Sequence, residues 1–411
     1  MIAIAVTGIG VFSSIGCDRV SFWNSLVAGT SGIKEIQAFD ASRHKSRIAS
    51  EVASFQPEVL LNFKQARRMA RVSQLASCAA LSAIQDAGLD LDREDLNRVG
   101  CILGSAAGDY YNLEQQYDRF KERGPGHVNP LAIPKVIPNM PASNVGITLG
   151  IRGPNLGVST ACATGAHAIG ISMGIIRQGL ADIILAGGAE STITPYVVDG
   201  YSCMGVLSQR NDNPQQASRP FDADRDGFVI GEGAGVLVLE SLSHAKSRGA
   251  DILALLKGFG MTCDAYNIAI PEPDGIAAAS AMVEAIKSAK LNIEEIGHIN
   301  AHGTSTKIND KVESNAIKKA FGDHGKSVQV TSIKSMLGHT LGAAGAIEAA
   351  ATVLTLHTGV IPPTINYVTP DPECSLNIVA NEARQLSLTA AISNSFGFGG
   401  QNGVVVFTKH P

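Results

Sequence analysis

Short apolar runs alternate with longer Ala-rich stretches along this chain of 411 residues. The apolar runs end in Gly- or Ser-rich turns, which is typical of strands. They are IAIAVTGIG, RVGCILGSAAG, ADIILAGGAES, GAGVLVLES, GHINAHGTST, SVQVTSIKS and LTAAISNSFGFGG. The Ala-rich stretches at 72–87, 166–178, 275–289 and 342–356 have helical spacing. This alternation predicts an α/β protein with mostly parallel, buried strands.

The same pattern indicates two similar halves. ADIILAGGAES in the first half and LTAAISNSFGFGG in the second are both late strands that lead into a Gly-rich turn. The junction of LVLESLSHAKSRGAD with the predicted strand ILALLKGFG places a boundary near residue 250. We therefore expect one unit over 1–250 and a second over 251–411.

Composition and charge narrow the class of protein. Hydrophobic residues make up 45% of the chain and charged residues 17%, as in an ordinary folded protein. The formal net charge of -4 excludes a generic nucleic-acid-binding protein, which would carry a basic excess. Glycine is frequent, at 43 residues, and aromatic residues make up only 5%, which indicates closely approaching backbones.

No segment has the pattern of a membrane span or a disulfide framework. The most apolar stretch, 341–361, contains Glu348 and His357 and is rich in Ala, Gly and Thr, so we expect a buried helix. The N-terminal MIAIAVTGIGV lacks the basic residues of a signal peptide. The 7 Cys residues are scattered and form no CxxC pair. These features favour a reducing cytoplasm, without disulfides or a zinc site.

The most informative segment is GPNLGVSTACATGAHAIG, residues 153–170. A short apolar strand ends before Cys162, and small residues then lead into a helix. A thiol at such a turn lies near the helix N-terminus, where free N–H groups and the dipole favour thiolate. Its own backbone N–H is free to donate to an oxyanion. We expect Cys162 to be a nucleophile, the alternative being a buried structural thiol.

Two histidines and a lysine follow strands in the second half. His302 lies in INAHGTST, and His339 follows Lys334 in SIKSMLGHTLGAAGAIE. Catalytic groups of α/β proteins gather at the C-terminal ends of strands, so we expect both imidazoles near the nucleophile. Lys334 and Glu348 lie in the same apolar neighbourhood. Because a buried lysine needs a partner, we expect these two side chains to form a contact.

Three further motifs have simpler interpretations. In NSFGFGG, Phe398 offers a backbone N–H to an oxyanion and a ring that could gate the site. His167, one turn into the helix after the nucleophile, is interpreted as structural. FDADRDGFVIGEG resembles the start of a calcium loop, but its Glu comes one place early and no helix precedes it. We interpret its acidic residues as partners of Arg219 and Arg225.

In their order along the chain, these motifs resemble the β-ketoacyl–[acyl-carrier-protein] synthases of type II fatty-acid synthesis, in particular the II-type elongation enzymes. The resemblance covers essentially the whole chain, through VTGIGVFSSIG, STACATGAHAIG, RPFDADRDGFVIGEGAG, NAHGTST, SIKSMLGHTLGAAGAIE and NSFGFGG. It implies the thiolase fold, in which two similar halves stack as five layers, α-β-α-β-α. It also implies a homodimer.

The resemblance further implies a decarboxylative Claisen condensation. Cys162 would take an acyl chain from the phosphopantetheine thioester of an acyl carrier protein. Malonyl carrier protein would then lose CO2, and the resulting carbanion would attack the acyl-Cys carbonyl. His302 and His339 would stabilise the enolate, and the N–H groups of Cys162 and Phe398 would form the oxyanion hole. No cofactor is implied beyond the phosphopantetheine of the carrier.

Supporting sites are implied in the same way. Lys334, held by Glu348, would orient the two histidines. Thr304 and Thr306 would bind the pantetheine arm, and Ala107 would border the acyl pocket. A structural monovalent cation is implied at Asn300, Glu348, Ser393 and Asn394.

An acidic carrier protein requires a local basic patch on an enzyme of slightly acidic charge. The densest basic cluster is NFKQARRMAR, which contains Lys64, Arg67, Arg68 and Arg71 and matches the docking region of the family. We expect Lys64, Arg67 and Arg68 to contact the carrier. The alternative is a solvated helix face.

The chain departs from the family pattern at several positions. Asn-Ile-Ala-Ile at 267–270 replaces the usual His-Met-Thr-Ser, and Gln401 stands where Thr is frequent. Ala107 stands where an Ile often limits the acyl pocket. These changes remove hydroxyls that help to bind the pantetheine arm and leave more room for the acyl chain. We therefore expect an unusual or longer acyl chain, or a dedicated carrier.

Three other functions stay open. A specialised polyketide or polyene pathway would use the same chemistry. A thiolase would act on coenzyme A and use a second Cys as acid and base, where this chain has His302 and His339. A chain-length partner subunit of a heterodimer would lack the nucleophile, whereas this chain contains Cys162.

Overall fold

Long strands and helices alternate in the computed structural model, which describes residues 2–53 and 55–410. The strands are β1 Ile4–Phe12, β2 Lys34–Glu35, β3 Ile48–Ala49, β4 Val99–Gly104, β5 Asn155–Val158, β6 Ile183–Glu190, β7 Gly233–Ser241, β8 Ala254–Cys263, β9 Ile296–Asn300, β10 Gln329–Thr331, β11 Val360–Ile361, β12 Arg384–Gln385, β13 Ala390–Gly397 and β14 Gln401–Thr408. The α-helices are α1 Arg19–Val27, α2 Phe63–Arg68, α3 Arg71–Asp86, α4 Tyr110–Arg123, α5 Ala132–Val136, α6 Met140–Leu149, α7 Thr164–Arg177, α8 Pro195–Cys203, α9 Leu242–Ser247, α10 Ile276–Ala289, α11 Lys307–Phe321, α12 Lys334–Leu337 and α13 Ala344–Thr358.

The main sheet has ten strands in the order β10-β9-β13-β14-β8-β1-β7-β6-β4-β5. Its first half, β5-β4-β6-β7-β1, and its second half, β10-β9-β13-β14-β8, have the same connectivity when the strands of each half are counted along the chain. β1 and β8 join the halves through a short antiparallel pairing. The two similar halves expected from the sequence are therefore present, and the division into 1–250 and 251–411 stays a prediction.

The helices form layers on and between the two half-sheets. α7 and α13 pack against each other and contact strands of both halves. α3 and α6 cover the outer face of the first half, and α10, with α11 packed against it, covers the outer face of the second. This is the α-β-α-β-α order of the thiolase fold, so the predicted architecture is confirmed.

The two central helices approach each other closely because small residues line their contact. A Cβ added to Gly165 would lie 2.5 Å from the backbone N of Ala346, and one added to Gly345 would lie 2.7 Å from that of Ala166. Only glycine fits at these two positions. The packing brings the start of α7, just after Cys162, next to the start of α13.

The expectation of mostly parallel strands is wrong. β4 is parallel to β5 and β6, and β9 is parallel to β10 and β13. The other neighbours in the main sheet are antiparallel, including β13 and β14, which are joined through the turn at Phe398–Gly400. Such a short connection folds the chain back on itself, whereas a parallel pair needs a long crossover. The sequence pattern missed β14, which no helix separates from β13.

The most apolar stretch of the chain forms the helix α13. Every residue from Ala344 to Leu356 in this helix is buried within the protein. Among residues 2–53 and 55–410, no helix combines the length and hydropathy needed to cross a membrane.

Candidate active site

The ends of strands from both halves meet at one cavity of about 670 Å³. Cys162 follows β5, His302 follows β9 and Phe398 follows β13, and these three residues line the cavity together with His339. β9 and β13 are parallel neighbours, so their C-terminal ends lie at the same edge of the sheet. The structure thus brings together the four residues that the sequence singled out in separate segments.

A strained turn presents Cys162 to the cavity. The preceding Ala161 has φ of 48°, in the left-handed region that a non-glycine residue rarely adopts. The N–H of Thr160 donates to Thr164 Oγ1 at 2.8 Å, which ties the turn to the first residue of α7. A Cβ on Gly397 would lie 3.0 Å from the backbone N of Cys162, so the β13–β14 turn packs directly against this bend.

Burial dominates the acid–base behaviour of the nucleophile. It raises the pKa of the Cys162 thiol to about 12, while the charge of Lys334 and the backbone N–H of Phe398 act in the opposite direction. Burial thus opposes the thiolate form that the N-terminus of α7 favours. The N–H of Phe398 is directed at the sulfur, where an oxyanion donor is needed.

The two imidazoles lie beside each other in the cavity wall. The ring centroids of His302 and His339 are 5.2 Å apart, with an interplanar angle of 84°. Burial lowers the pKa of both side chains well below the ordinary value of 6.5, and the nearby charge of Lys334 lowers it further. Both rings are therefore neutral at physiological pH, and each offers one N–H donor.

Lys334 fixes the orientation of His302 from behind the cavity. Its Nζ donates to the carbonyl O of His302 at 2.6 Å, lies 3.4 Å from His302 Nδ1 and pairs with Glu348. An ammonium has only donors, so Nδ1 is the acceptor and the ring proton resides on Nε2. The backbone N–H groups of His302 and Gly303 donate to Glu313 at 2.8 and 2.7 Å. Glu313 was not predicted from the sequence.

His339 is held by its backbone and by an aromatic ring. Its N–H donates to the carbonyl O of Val229 at 2.7 Å, and the residue before it, Gly338, has φ of 62°. The ring stands edge-on to Phe228, with centroids 5.4 Å apart. Within residues 2–53 and 55–410, no group hydrogen-bonds to His339 Nδ1.

Four buried side-chain oxygens near Lys334 and Glu348 have no hydrogen-bond partners in the described part of the chain. They are Asn300 Oδ1, Glu348 Oε2, Ser393 Oγ and Asn394 Oδ1. Asn300 and Ser393 face each other across β9 and β13, and Asn300 Nδ2 donates to the carbonyl O of Glu348 at 3.1 Å. Burial raises the pKa of Glu348 and of Glu313, and Lys334 opposes the effect on Glu348.

The expected pantetheine path also lines the cavity. The hydroxyls of Thr304 and Thr306 lie 2.9 Å apart on its wall. Ala269 and Ile270, from the segment that departs from the family pattern, line it as well. Asn267 Oδ1 accepts from the N–H groups of both, at 2.9 and 3.1 Å, so this segment forms an ordered turn.

An apolar wall next to the nucleophile was not predicted from the sequence. Cys162 belongs to a cluster with Tyr201, Phe228 and Leu341, which come from distant segments and carry no local motif. Such a wall suits an aliphatic chain. Ala107, predicted to border the acyl pocket, does not line this cavity; it is half-buried in the loop after β4.

The predicted docking cluster divides into exposed and inward-facing residues. Lys64, Arg67 and Arg68 are exposed on α2. Arg71 is instead half-buried, and its guanidinium pairs with the buried Glu232 at 2.7 Å. The exposed part of the cluster therefore consists of the three residues predicted to contact the carrier.

The two motifs interpreted as structural have structural contacts. His167 does not line the cavity, and its Nδ1 lies 2.7 Å from Thr160 Oγ1. In FDADRDG, Arg219 lies 3.5 Å from the carboxylate of Asp222, and Arg225 donates to the carbonyl O of Asp222 at 2.8 Å. The expected local ion pair is therefore present for Arg219, whereas the carboxylate partners of Arg225 are Asp310 and Asp371, outside the motif.

Comparisons with known proteins match nearly the whole chain. Residues 1–245 match the family model of the β-ketoacyl synthase N-terminal domain, and residues 253–368 match that of the C-terminal domain. The chain is 44% identical to "3-oxoacyl-[acyl-carrier-protein] synthase 2" of Synechocystis sp., over 99% of the chain and 98% of that protein. It is 45% identical to the protein of the same name from Vibrio harveyi, with the same coverage.

Three solved structures resemble this chain over their full length. The ishigamide ketosynthase/chain length factor superposes with a TM-score of 0.93 at 34% identity, covering 100% of both chains. AntDE:AntF, a type II polyketide synthase acyl-carrier protein in complex with its ketosynthase, gives 0.93 at 35% identity with the same coverage. A β-ketoacyl synthase from Burkholderia phymatum gives 0.92 at 34% identity, also over both full chains.

Proposed function

Because the chain belongs to the β-ketoacyl synthase family, we propose that it condenses an acyl group on Cys162 with malonyl-[acyl-carrier-protein] in fatty-acid elongation. The products are 3-oxoacyl-[acyl-carrier-protein] and CO2. The observation that carries this proposal is the joint position of Cys162, His302, His339 and Phe398 on one buried cavity. The reaction uses no cofactor beyond the phosphopantetheine of the carrier.

The first half-reaction loads the enzyme. Cys162 Sγ attacks the thioester carbonyl of the acyl carrier, a new S–C bond forms, and the bond to the pantetheine sulfur breaks. The thiol proton passes to the departing pantetheine thiol, which agrees with a resting thiol whose pKa burial has raised. The N–H groups of Cys162 and Phe398 stabilise the tetrahedral oxyanion.

The second half-reaction makes and uses a carbanion. The bond between the malonyl carboxylate and its methylene breaks, CO2 leaves, and the electron pair delocalises onto the thioester oxygen. Neutral His302 and His339 donate hydrogen bonds to this enolate, with Lys334 holding His302 so that Nε2 carries the proton. The carbanion carbon then attacks the acyl carbonyl and forms the new C–C bond, the bond to Cys162 Sγ breaks, and the departing thiolate takes a proton from solvent.

We assign the partner and assembly on the same basis. The acyl carrier protein would dock at Lys64, Arg67 and Arg68. A homodimer is supported by β5, which lies at one end of the sheet with its outer edge open in the described part of the chain and with Leu156 exposed on it. Ile147, on the neighbouring α6, is also exposed. We place the enzyme in the cytoplasm, where the free Cys residues stay reduced.

A structural monovalent cation fits the cluster of unpartnered oxygens. Lys334 pairs with Glu348, whereas the second buried carboxyl group, Glu313, accepts from neutral N–H groups, including Asn394 Nδ2 at 3.1 Å. Oxygen-only ligands suit a hard cation. We therefore propose that Asn300, Glu348, Ser393 and Asn394 hold it and that it stabilises the fold around His302. Raising the KCl or NaCl concentration against tetramethylammonium chloride at equal ionic strength should raise Tm; no difference would contradict the cation site.

Mass spectrometry tests the proposed function directly. Incubation with an acyl carrier protein should add one acyl group to Cys162, and later addition of malonyl carrier should release CO2 and form the 3-oxoacyl product. An enzyme without an acyl adduct would be a partner subunit. Acylation without loss of CO2 from malonyl carrier would instead indicate thiolase chemistry.

A second candidate, the same condensation in a specialised polyketide or polyene pathway, is favoured by the likeness to the ishigamide and AntDE:AntF ketosynthases. We rank this pathway second because the chain is more similar to the two 3-oxoacyl-[acyl-carrier-protein] synthases, at 44% and 45% identity, than to these two ketosynthases, at 34% and 35%. A panel of acyl chains, each carried on fatty-acid and polyketide carriers, separates the two pathways. Preference for a polyketide carrier would favour the second.

A further inference from the structure

Exposed residues mark the mouth of the cavity. Among its lining residues, Met204, Ile270 and Ile308 are exposed, and so are the charged residues Asp226 and Lys307. The nucleophile and the two histidines, by contrast, are buried. The cavity therefore runs from a buried reacting end to an exposed end that carries charge.

The two aspartates that line this cavity, Asp226 and Asp264, already accept hydrogen bonds from other residues. Asp226 accepts from the N–H of Gln209 at 3.2 Å and lies 3.7 Å from Arg210 Nε. Asp264, which also lines the cavity, accepts from Asn402 Nδ2 at 2.7 Å. Both carboxylates thus have partners that reduce their repulsion of an incoming anion.

Lys307 differs from these two aspartates in the contacts of its side chain. Within residues 2–53 and 55–410, its Nζ has no ion pair or hydrogen bond, and it is the only lysine or arginine that lines the cavity. Its backbone is nevertheless fixed: Arg225 donates to the carbonyl O atoms of Thr306 and Lys307, each at 3.0 Å. Arg225 is itself buried and paired with Asp371 at 2.6 Å. A hydrogen-bonded backbone thus carries, at the mouth, a cationic side chain without a partner in the described part of the chain.

The two ends of the substrate's phosphopantetheine arm differ in charge, as do the two ends of the cavity. Under the proposed function, on which this inference rests, the thioester end of the arm lies at Cys162. The other end of a phosphopantetheine arm is a phosphate, which must lie where the arm leaves the cavity. We propose that Lys307 binds this phosphate and so selects phosphorylated arms, while Thr304 and Thr306 line the path inward. A lysine binds phosphate as a point charge and needs no fixed geometry.

The test compares two substrates that differ only in the phosphate: acyl-phosphopantetheine and acyl-pantetheine, each free of carrier protein. Because the contact is solvent-exposed, Lys307→Met should lower kcat/KM for acylation of Cys162 by the phosphorylated substrate about threefold to tenfold. The rate with acyl-pantetheine should not change. Lys307→Arg should retain most of the wild-type preference, and added salt should slow wild type more than Lys307→Met.

A matched control lies in the last turn of the same helix. Lys319 is exposed and does not line the cavity, so Lys319→Met should leave both rates unchanged. Equal losses with both substrates, or no loss with the phosphorylated one, would overturn the role of Lys307. Failure of the proposed function would look different, since wild-type Cys162 would then accept an acyl group from neither free substrate nor from the carrier.

Discussion

The buried pair of Lys334 and Glu348 connects the stability of the protein to its chemistry. Both side chains are 2% exposed, so Lys334→Met would leave Glu348 without its partner in the interior. Breaking a buried pair in this way costs about 3–5 kcal/mol. With an unfolding entropy of about 2.1 cal/mol/K per residue, that cost lowers Tm by about 3–6 °C for a chain of 411 residues.

The same substitution should impair decarboxylation. It removes the donor at 2.6 Å from the His302 carbonyl and the ammonium that keeps the proton on Nε2. Loss of a charged hydrogen bond of about 1.5–3 kcal/mol corresponds to a decrease of about tenfold to a hundredfold in rate. The assay is the release of labelled CO2 from malonyl carrier protein, measured beside thermal unfolding.

Two further variants separate the structural effect from the catalytic one. Lys334→Met with Glu348→Gln removes the unpaired carboxylate, so Tm should recover while decarboxylation stays low. Arg248→Met breaks another ion pair, with the fully buried Glu240, away from the cavity. It should lower Tm and leave the decarboxylation rate unchanged. If the double variant regains the wild-type rate together with its Tm, Lys334 serves only to neutralise Glu348 and the reasoning about His302 is wrong.

Three other predictions concern the nucleophile, the histidines and the docking surface. Cys162→Ala should abolish the 3-oxoacyl product yet leave slow malonyl decarboxylation, and condensation above a few per cent of wild type would exclude Cys162 as nucleophile. His302→Ala and His339→Ala should each slow decarboxylation strongly. In the wild-type protein the decarboxylation rate should stay constant as pH falls through 6.5, because the lowered pKa of each histidine keeps its ring neutral. An inflection near pH 6.5 would contradict the assignment of both histidines as neutral donors. Lys64→Glu with Arg67→Glu should raise KM for acyl carrier and weaken its salt dependence but spare free acyl-pantetheine; unchanged carrier kinetics would place docking elsewhere.

Local signals predicted the elements that carry the chemistry. The Ala-rich stretches at 166–178 and 342–356 correspond to α7 and α13, within two residues at each end. The turns that hold Cys162, His302 and Phe398 follow strands, as expected. These features could be predicted because each depends on neighbours close in sequence: apolar spacing, small residues and glycine at the bends.

Features that depend on tertiary contacts were missed. Nothing in the alternation of strands and helices distinguishes the antiparallel β14 from a further parallel strand. Tyr201 and Leu341 meet at the apolar wall beside Cys162 only through the fold. Arg71 turns away from the exposed basic cluster because it pairs with Glu232, which is distant in sequence. The effect of burial on the pKa of Cys162 was missed for the same reason, since the dipole of α7 is local whereas burial comes from the whole fold.

The unusual composition has a physical role in the site. Glycines at 165 and 345 allow α7 and α13 to pack backbone against backbone, and no larger residue fits at either position. This contact places the bend that carries Cys162, at the start of α7, against the segment that leads from His339 into α13. The nucleophile from one half and the histidines from the other can then share a single buried cavity. Gly165 and Gly345 are therefore required by a site built between two halves, because a larger side chain at either position would push the two central helices apart, and with them Cys162 and the histidines.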